Sequence, residues 1–100
     1  MNDKLLSFLG IARRAGRLSL GFDTATEAMT KGRSKLLLLA CDLSERTTRS
    51  ITETAQKSGT QTIVLNIPME QIGISLGKIT GIISVNDEGF AEKLKTLCAE

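Results

Sequence analysis

The stretch KLLLLAC, from Lys35 to Cys41, limits the possible folds more than any other part of this 100-residue chain. Four leucines and an alanine follow one another there between polar neighbours. A run of that length is typical of a strand whose two faces are both buried. Both faces of a sheet are covered only when helices pack on each side of it, so the run predicts a layered α/β protein.

Helical patterns and short apolar runs alternate along the rest of the chain. The spacing of apolar residues and the glycines behind them predict helices at about residues 3–15, 24–31, 45–58, 68–77 and 87–98. The predicted strands are a brief one within residues 17–21, then 35–41, 62–66 and 80–86. Three of the helices have two candidate caps each: Asp23 or Thr24, Asp42 or Ser44, and Asn86 or Asp87.

This alternation predicts an α/β fold: one domain over residues 1–100, built as a three-layer α/β/α sandwich with a four-stranded mixed sheet. Strands joined by crossover helices are expected to run parallel. The first strand is short enough to enter in either direction, which is why the sheet is expected to be mixed. In such sheets ligands favour the junctions after the strands, here residues 21–24, 41–45 and 86–89.

Composition argues against several classes of protein. No apolar run approaches 18 residues, so no membrane span is expected, and the apolar N-terminal stretch precedes its basic residues, the reverse of a signal peptide. We therefore expect a cytoplasmic protein. The chain has no histidine, phosphate-binding loop, dinucleotide motif or metal-ligand cluster, so we expect no enzyme activity, cofactor, metal or small-molecule substrate.

One enzymatic alternative rests on the segment CDLSER, which begins at Cys41. A phosphatase-like loop has five residues between its cysteine and its arginine, whereas four separate Cys41 from Arg46, and no glycine lets the loop curl. The competing interpretation is a small residue that ends a buried strand. Cys41 and Cys98 are expected to be buried free thiols.

Positive charge is concentrated in the first third of the chain. Residues 1–35 carry seven basic and three acidic side chains, a net charge of +4, whereas residues 36–100 carry six and eight, a net charge of −2. Arg13, Arg14 and Arg17 fall within about 100° of arc on the first helix and its continuation. They predict a basic edge close to Gly21, where the start of a helix exposes free N–H groups to an anion.

Each of these features also has a purely structural interpretation. Arginines at the end of a helix interact favourably with the helix dipole, and a glycine before a helix is often only a turn residue.

Longer stretches of the sequence resemble a known family. The spacing of GFDTATEAMTKGRSKL followed by LLLACD resembles the L7Ae family of kink-turn RNA-binding ribosomal proteins, as do PMEQIGISLG and NDEGFAEKL further on. The opening LGIARRAGRLSLG is most similar to the bacterial YlxQ-type branch of that family. The resemblance spans nearly the whole chain. It implies an α/β/α sandwich without catalysis, with structured RNA as the ligand and the ribosome or the translation machinery as the setting.

The resemblance also implies a site. In the family, a glycine after the first strand packs on the sugar–phosphate backbone, an Asn and a Glu read guanine edges, and a Lys meets phosphate or base. Gly21 retains that glycine, Asp23 stands at the Asn, Thr24 at the Glu and Glu27 at the Lys. The family's second loop corresponds to residues 77–80.

In that second loop we expect Lys78 to meet phosphate and Ile79 to pack on a base. The predicted RNA-binding residues are therefore Arg13, Arg14, Arg17, Gly21, Asp23, Thr24, Glu27, Lys31, Arg33, Lys78 and Ile79. Thr24 and Glu27 also keep open a second hypothesis, a protein-interaction module of the translation machinery with weak or no RNA binding.

Overall fold

The computed structural model describes residues 3–99, and within them five helices alternate with four strands. In chain order they are α1 (Asp3–Arg14), β1 (Leu18–Leu20), α2 (Phe22–Thr30), β2 (Leu36–Leu39), α3 (Glu45–Ser58), β3 (Thr62–Val64), α4 (Met69–Leu76), β4 (Ile82–Val85) and α5 (Glu88–Ala99). The predicted α/β class with a four-stranded mixed sheet is confirmed. None of these helices is both long enough and apolar enough to cross a membrane.

Strand β2 shows why the fold has three layers. Its four leucines are all buried, and successive ones point to opposite faces of the sheet. Leu36 and Leu38 pack in a core with residues of α1, α4 and α5, whereas Leu37 and Leu39 pack in a second core with residues of α2 and α3. The apolar run thus supplies both cores, as the sequence predicted.

The sheet has the order β1-β4-β2-β3, in which β2 and β3 are parallel and β4 runs antiparallel to both of its neighbours. The expectation that strands joined by crossover helices run parallel is therefore wrong for β4. The reason is that both ends of the segment containing α4 are held at one end of the sheet, since Cys41 N donates to Ile67 O (3.0 Å) and Ala40 N donates to Gly81 O (2.9 Å) just beyond β2. Gly73 lets Ile79 pass close by, since a Cβ at Gly73 would come within 3.0 Å of the Ile79 Cα. Strand β4 therefore starts at the end of the sheet where β3 finished.

This reversal gives the sheet two distinct ends. At the Gly21 end, the amide of Gly21 donates to Ile82 O (3.0 Å) and the amide of Ala40 donates to Gly81 O (2.9 Å). At the Asn86 end, the amide of Asn86 donates to Arg17 O (2.8 Å). Two of the three predicted ligand junctions, 21–24 and 41–45, therefore lie at the Gly21 end, and the third, 86–89, lies at the other.

The helix starts confirm some candidate caps and correct others. Ser44 Oγ accepts a hydrogen bond from the Thr47 amide (3.2 Å) and caps α3, and Asp87 Oδ2 accepts one from the Phe90 amide (2.9 Å) and caps α5. Asp42 serves a different helix, because its Oδ1 accepts from the Met69 amide (2.9 Å) at the start of α4.

Helix α2 begins earlier than predicted. Gly21 is its N-cap, so neither Asp23 nor Thr24 caps it, and no side chain accepts from its first-turn amides as a cap. The hydroxyl of Thr24 instead donates back to the carbonyl of Leu20. Gly21 has φ of 101° and ψ of 166°, a backbone conformation that side-chain-bearing residues rarely adopt, which explains why glycine starts this helix.

Candidate nucleic-acid interface

Five predicted site residues lie together at the Gly21 end of the sheet, and we call them the Gly21 edge. The hydrogen bond from the Gly21 amide to Ile82 O (3.0 Å) joins the start of α2 to the start of β4. The loop that precedes β4 therefore lies beside the first turn of α2, although more than fifty residues separate them in sequence. The Gly21 edge consists of Gly21, Asp23, Thr24, Lys78 and Ile79.

The α2 side of this edge offers backbone donors. The first amides of a helix have no partner within the helix, and here no capping side chain takes their place. The aligned peptide dipoles place partial positive charge at the same point. Asp23 and Thr24 are exposed on this first turn, and the Thr24 hydroxyl is held in place by its bond to Leu20 O. The arrangement can receive an anion close to the glycine.

The loop side of the edge combines a cation with an exposed apolar side chain. Lys78 is exposed, and Ile79 is 76% exposed, which is unusual for an isoleucine. The buried Thr80 anchors the loop, because its hydroxyl lies 3.0 Å from Ile82 O and 3.2 Å from the Ile82 amide. A firmly anchored loop thus presents an apolar surface to solvent, beside a positive charge.

The three arginines of the predicted basic edge are divided between two places. Arg13 Nη1 would lie 3.4 Å from a Cβ added at Gly77, so its guanidinium sits beside the residue that precedes Lys78. Arg14 lines a cavity of about 280 Å³ near the end of α4, shared with Arg13 and Ser75. Arg17 lies beyond α1 at the Asn86 end, and the structure does not bring it together with Gly21.

A second basic cluster, which we call the Gly-Arg pocket, lies at that Asn86 end. Helices α1 and α2 each end in a Gly-Arg pair, and both glycines have φ of 74°. The two pairs line one cavity of about 380 Å³ with a lysine and an asparagine. The Gly-Arg pocket consists of Gly16, Arg17, Gly32, Arg33, Lys35 and Asn86. Only Arg17 and Arg33 of these were predicted, and the two glycines, Lys35 and Asn86 were missed from the sequence. The repeated Gly-Arg pair after a helix was a signal that could have drawn attention to this surface.

Glu27 belongs to the surroundings of this pocket through its ion pairs. Its Oε1 lies 3.3 Å from Arg33 Nη2 and 3.9 Å from Lys31 Nζ. All three side chains are more than half exposed, so each pair contributes less than about 1 kcal/mol to stability. The carboxylate that replaces the family's lysine is thus directed toward the cations that follow α2.

A network of buried hydroxyl groups holds Asn86 in place. Asn86 Nδ2 donates to Ser19 Oγ (2.8 Å), and the fully buried Ser84 has its Oγ 2.7 Å from both Asn86 Oδ1 and Ser34 Oγ. These side chains come from β1, β4 and the residues just before and after the strands. The network therefore ties the wall of the Gly-Arg pocket to three neighbouring strands.

The two cysteines differ in their surroundings. The expectation of burial is wrong for Cys41, which is exposed because it lies beyond the end of β2. The adjoining helix start is occupied, since Ser44 accepts from the Thr47 amide there. Burial raises the pKa of the Cys98 thiol. No group of three or more cysteine, aspartate and glutamate side chains within residues 3–99 is arranged to hold a metal ion.

Two curated relatives match most of this chain. The RNA-binding protein YlxQ of Bacillus subtilis (strain 168) is 30% identical, over 89% of each chain. The RNA-binding protein YlxQ of Enterococcus faecium is 28% identical, over 94% of this chain and 90% of its own. Both names agree with the predicted likeness to the YlxQ-type branch.

The fold and the family are equally clear. A solved structure of a protein with unknown function from Bacillus halodurans C is 30% identical and superposes with a TM-score of 0.90, over 97% of this chain and 98% of that one. The sequence profile of the Ribosomal protein L7Ae/L30e/S12e/Gadd45 family matches residues 3–95. The chain therefore belongs to the L7Ae/L30e/S12e/Gadd45 family, as its resemblance predicted.

Proposed function

We propose that this chain is a non-catalytic RNA-binding domain that docks structured RNA on the Gly21 edge, in the cytoplasm and in association with the translation machinery. The observation that carries the proposal is the hydrogen bond from Gly21 to Ile82 O, which joins an uncapped helix start to the loop that bears Lys78 and Ile79. Membership of the L7Ae family and the RNA-binding names of two relatives support RNA as the ligand.

Backbone recognition on this surface would centre on Gly21. Because the glycine has no side chain, a sugar–phosphate backbone can approach the first turn of α2, and the free amides there can donate to phosphate oxygens. Lys78 adds a charge on the facing loop. Contacts of this kind orient an RNA without reading its sequence.

Base recognition would fall to Asp23 and Ile79. The carboxylate of Asp23 only accepts hydrogen bonds, so it suits the N–H groups of a guanine edge and repels a phosphate. Ile79, which is 76% exposed, can pack on the face of an unstacked base. RNA folds that splay bases out, such as a kink-turn, present both kinds of group together.

The cations nearest the Gly21 edge would attract the phosphates of the RNA. If Lys78, Arg13 and Arg14 each neutralise one phosphate, the logarithm of the binding constant should fall with the logarithm of salt concentration with a slope of about −2 to −3. A slope of about −4 to −5 would require additional cations, and those lie at the Asn86 end of the sheet.

The test is a titration of the full chain with three RNAs at two salt concentrations. The RNAs are a short kink-turn, the same RNA with its sheared G·A pairs replaced by Watson–Crick pairs, and a simple hairpin. We expect the kink-turn to bind most tightly. Lys78→Gln should weaken binding and reduce the salt slope by about 1, whereas the matched change Arg49→Gln on the outer face of α3 should not.

Two outcomes would contradict this proposal. The first is no binding of any of the three RNAs at low salt. The second is binding that Lys78→Gln and Arg49→Gln weaken equally. If RNA bound only after Glu27→Lys, the protein-interaction hypothesis would be favoured instead.

A further inference from the structure

We propose that the Gly-Arg pocket is a second RNA-binding surface, which holds the phosphodiester backbone of a separate RNA segment while the Gly21 edge is occupied. This inference rests on the proposed function for the chemical class of the ligand, but on different residues for the site.

The sheet places the cations of this pocket side by side. Leu18 and Leu36 both pair with Val85, so the next residues outward on these three strands are Arg17, Lys35 and Asn86. Two backbone hydrogen bonds hold them there, from Asn86 N to Arg17 O (2.8 Å) and from Lys35 N to Val85 O (2.7 Å). Since neighbouring strands lie about 4.8 Å apart, the Cα atoms of Arg17 and Lys35 are about 10 Å apart, with the Asn86 amide group between them.

The basic side chains of the pocket are not needed to cap the helices. The backbone amides of Gly16, Arg17, Gly32 and Arg33 already donate to the last carbonyls of α1 and α2, at 2.8–3.1 Å. Arg17 and Lys35 form no ion pair with any residue between 3 and 99. Two cations are therefore free to bind an external anion.

The charge of this surface suits a polyanion. Four basic side chains and one acidic side chain, a net charge of +3, gather there: Arg17, Lys31, Arg33, Lys35 and Glu27. The carboxylate of Asp87, the residue after Asn86, is occupied as the cap of α5, where it accepts from the Phe90 amide. Neither an aromatic nor an acidic side chain lines the cavity, so phosphate is a better ligand than a base for the residues present.

The two surfaces are too far apart for one phosphodiester group to contact both. Helix α2 begins at the Gly21 edge and ends at the Gly-Arg pocket, and its nine residues rise about 13 Å. A phosphate seated on Gly21 therefore leaves the cations of the pocket without a phosphate partner, and a second segment, of the same molecule or of another, can place its phosphates there.

The test uses the full chain and two RNAs with different labels. One is the short kink-turn, and the other is a 12-base-pair duplex without internal loops, used at about 50 mM salt, where phosphate contacts are strong. We expect the duplex to bind protein that is already saturated with kink-turn RNA. The double variant Arg17→Gln/Lys35→Gln should reduce the salt slope of that second event by about 2 and leave kink-turn binding unchanged.

The matched control is Arg49→Gln/Lys93→Gln, which removes the same two residue types from the outer faces of α3 and α5 and should leave both events unchanged. Competition between the two RNAs, or equal effects of the two double variants on the duplex, would overturn the inference and leave the proposed function standing. If the kink-turn RNA did not bind at all, the proposed function would fail. The duplex would then be titrated into the free protein, and weaker binding by Arg17→Gln/Lys35→Gln than by the control would still support the pocket.

Discussion

The two ends of α2 present different groups to an anion. At its start, the Gly21 edge relies on backbone amides and the helix dipole, with one lysine and an exposed isoleucine beside them. At its end, the dipole has the opposite sign, and the Gly-Arg pocket relies on side-chain charge alone. The glycines differ in position, since Gly21 is the N-cap of α2 whereas Gly32 follows its last turn. A site built from backbone can read shape, but one built from flexible cations reads mainly charge.

The largest effect is expected from Gly73→Ala, which should disturb the Gly21 edge and leave the Gly-Arg pocket unchanged. In Gly73→Ala, the new Cβ would lie 3.0 Å from the Ile79 Cα, so the loop that bears Lys78 must shift. Gly10→Ala is the matched control, because its Cβ would meet other atoms only at 3.6 Å or more and both variants gain helix propensity.

We expect Gly73→Ala to be less stable than Gly10→Ala by about 1–3 kcal/mol in urea unfolding, and to bind kink-turn RNA more weakly. Equal stability of the two variants would show that the loop does not depend on this contact.

A smaller loss of stability is expected from a substitution at the Asn86 end of the sheet. Ser84→Ala removes the buried hydroxyl group between Asn86 Oδ1 and Ser34 Oγ and leaves those groups with fewer partners. We expect a loss of about 1–2 kcal/mol in the free energy of unfolding and weaker duplex binding, with kink-turn binding unchanged. In Ser50→Ala, which removes an exposed hydroxyl group that has no hydrogen-bond partner within residues 3–99, the loss should stay within about 0.5 kcal/mol. A similar loss in both variants would argue against the buried network.

Reversing the charge of Glu27 should strengthen RNA binding at the Gly-Arg pocket. Glu27→Lys removes the partner of Lys31 and Arg33 and adds a cation. We expect duplex affinity at low salt to rise about tenfold, with a salt slope steeper by about 1. Glu53→Lys makes the same charge change on the exposed side of α3 and serves as the control. If both variants had the same effect, net charge rather than the pocket would explain it.

The smallest expected effect is on cysteine alkylation. Cys41 is exposed at the Gly21 end, whereas burial raises the pKa of Cys98, so Cys98 holds less thiolate at a given pH and should react more slowly. Kink-turn RNA should slow the alkylation of Cys41 several-fold, and the duplex should not, as measured by mass spectrometry over time. Equal protection by both RNAs would place them on the same surface.

Much of the fold could be predicted because it depends on local patterns. The apolar run of β2 indicates burial on both faces, and the caps Ser44 and Asp87 act within three residues of their partners. The spacing from Gly21 onward was sufficient to indicate the L7Ae family.

The candidate site was only partly predictable. The residues of the Gly21 edge could be identified from the family resemblance, but the separation of Arg17 from Arg13 and Arg14 could not. The three arginines share one side of a helix only if the helix continues through all of them. Helix α1 ends at Arg14, so Arg17 does not lie on it.

The sequence by itself determined that β2 is buried on both faces and in which order helices and strands follow one another, since both follow from the order of apolar residues. Only the tertiary structure decided the direction of β4, which depends on the close approach of Gly73 and Ile79 across a turn. That direction places the start of β4 beside Gly21, and Asn86 beside Arg17 and Lys35. Hydrophobic periodicity describes each element alone, whereas the two surfaces arise from how distant elements meet.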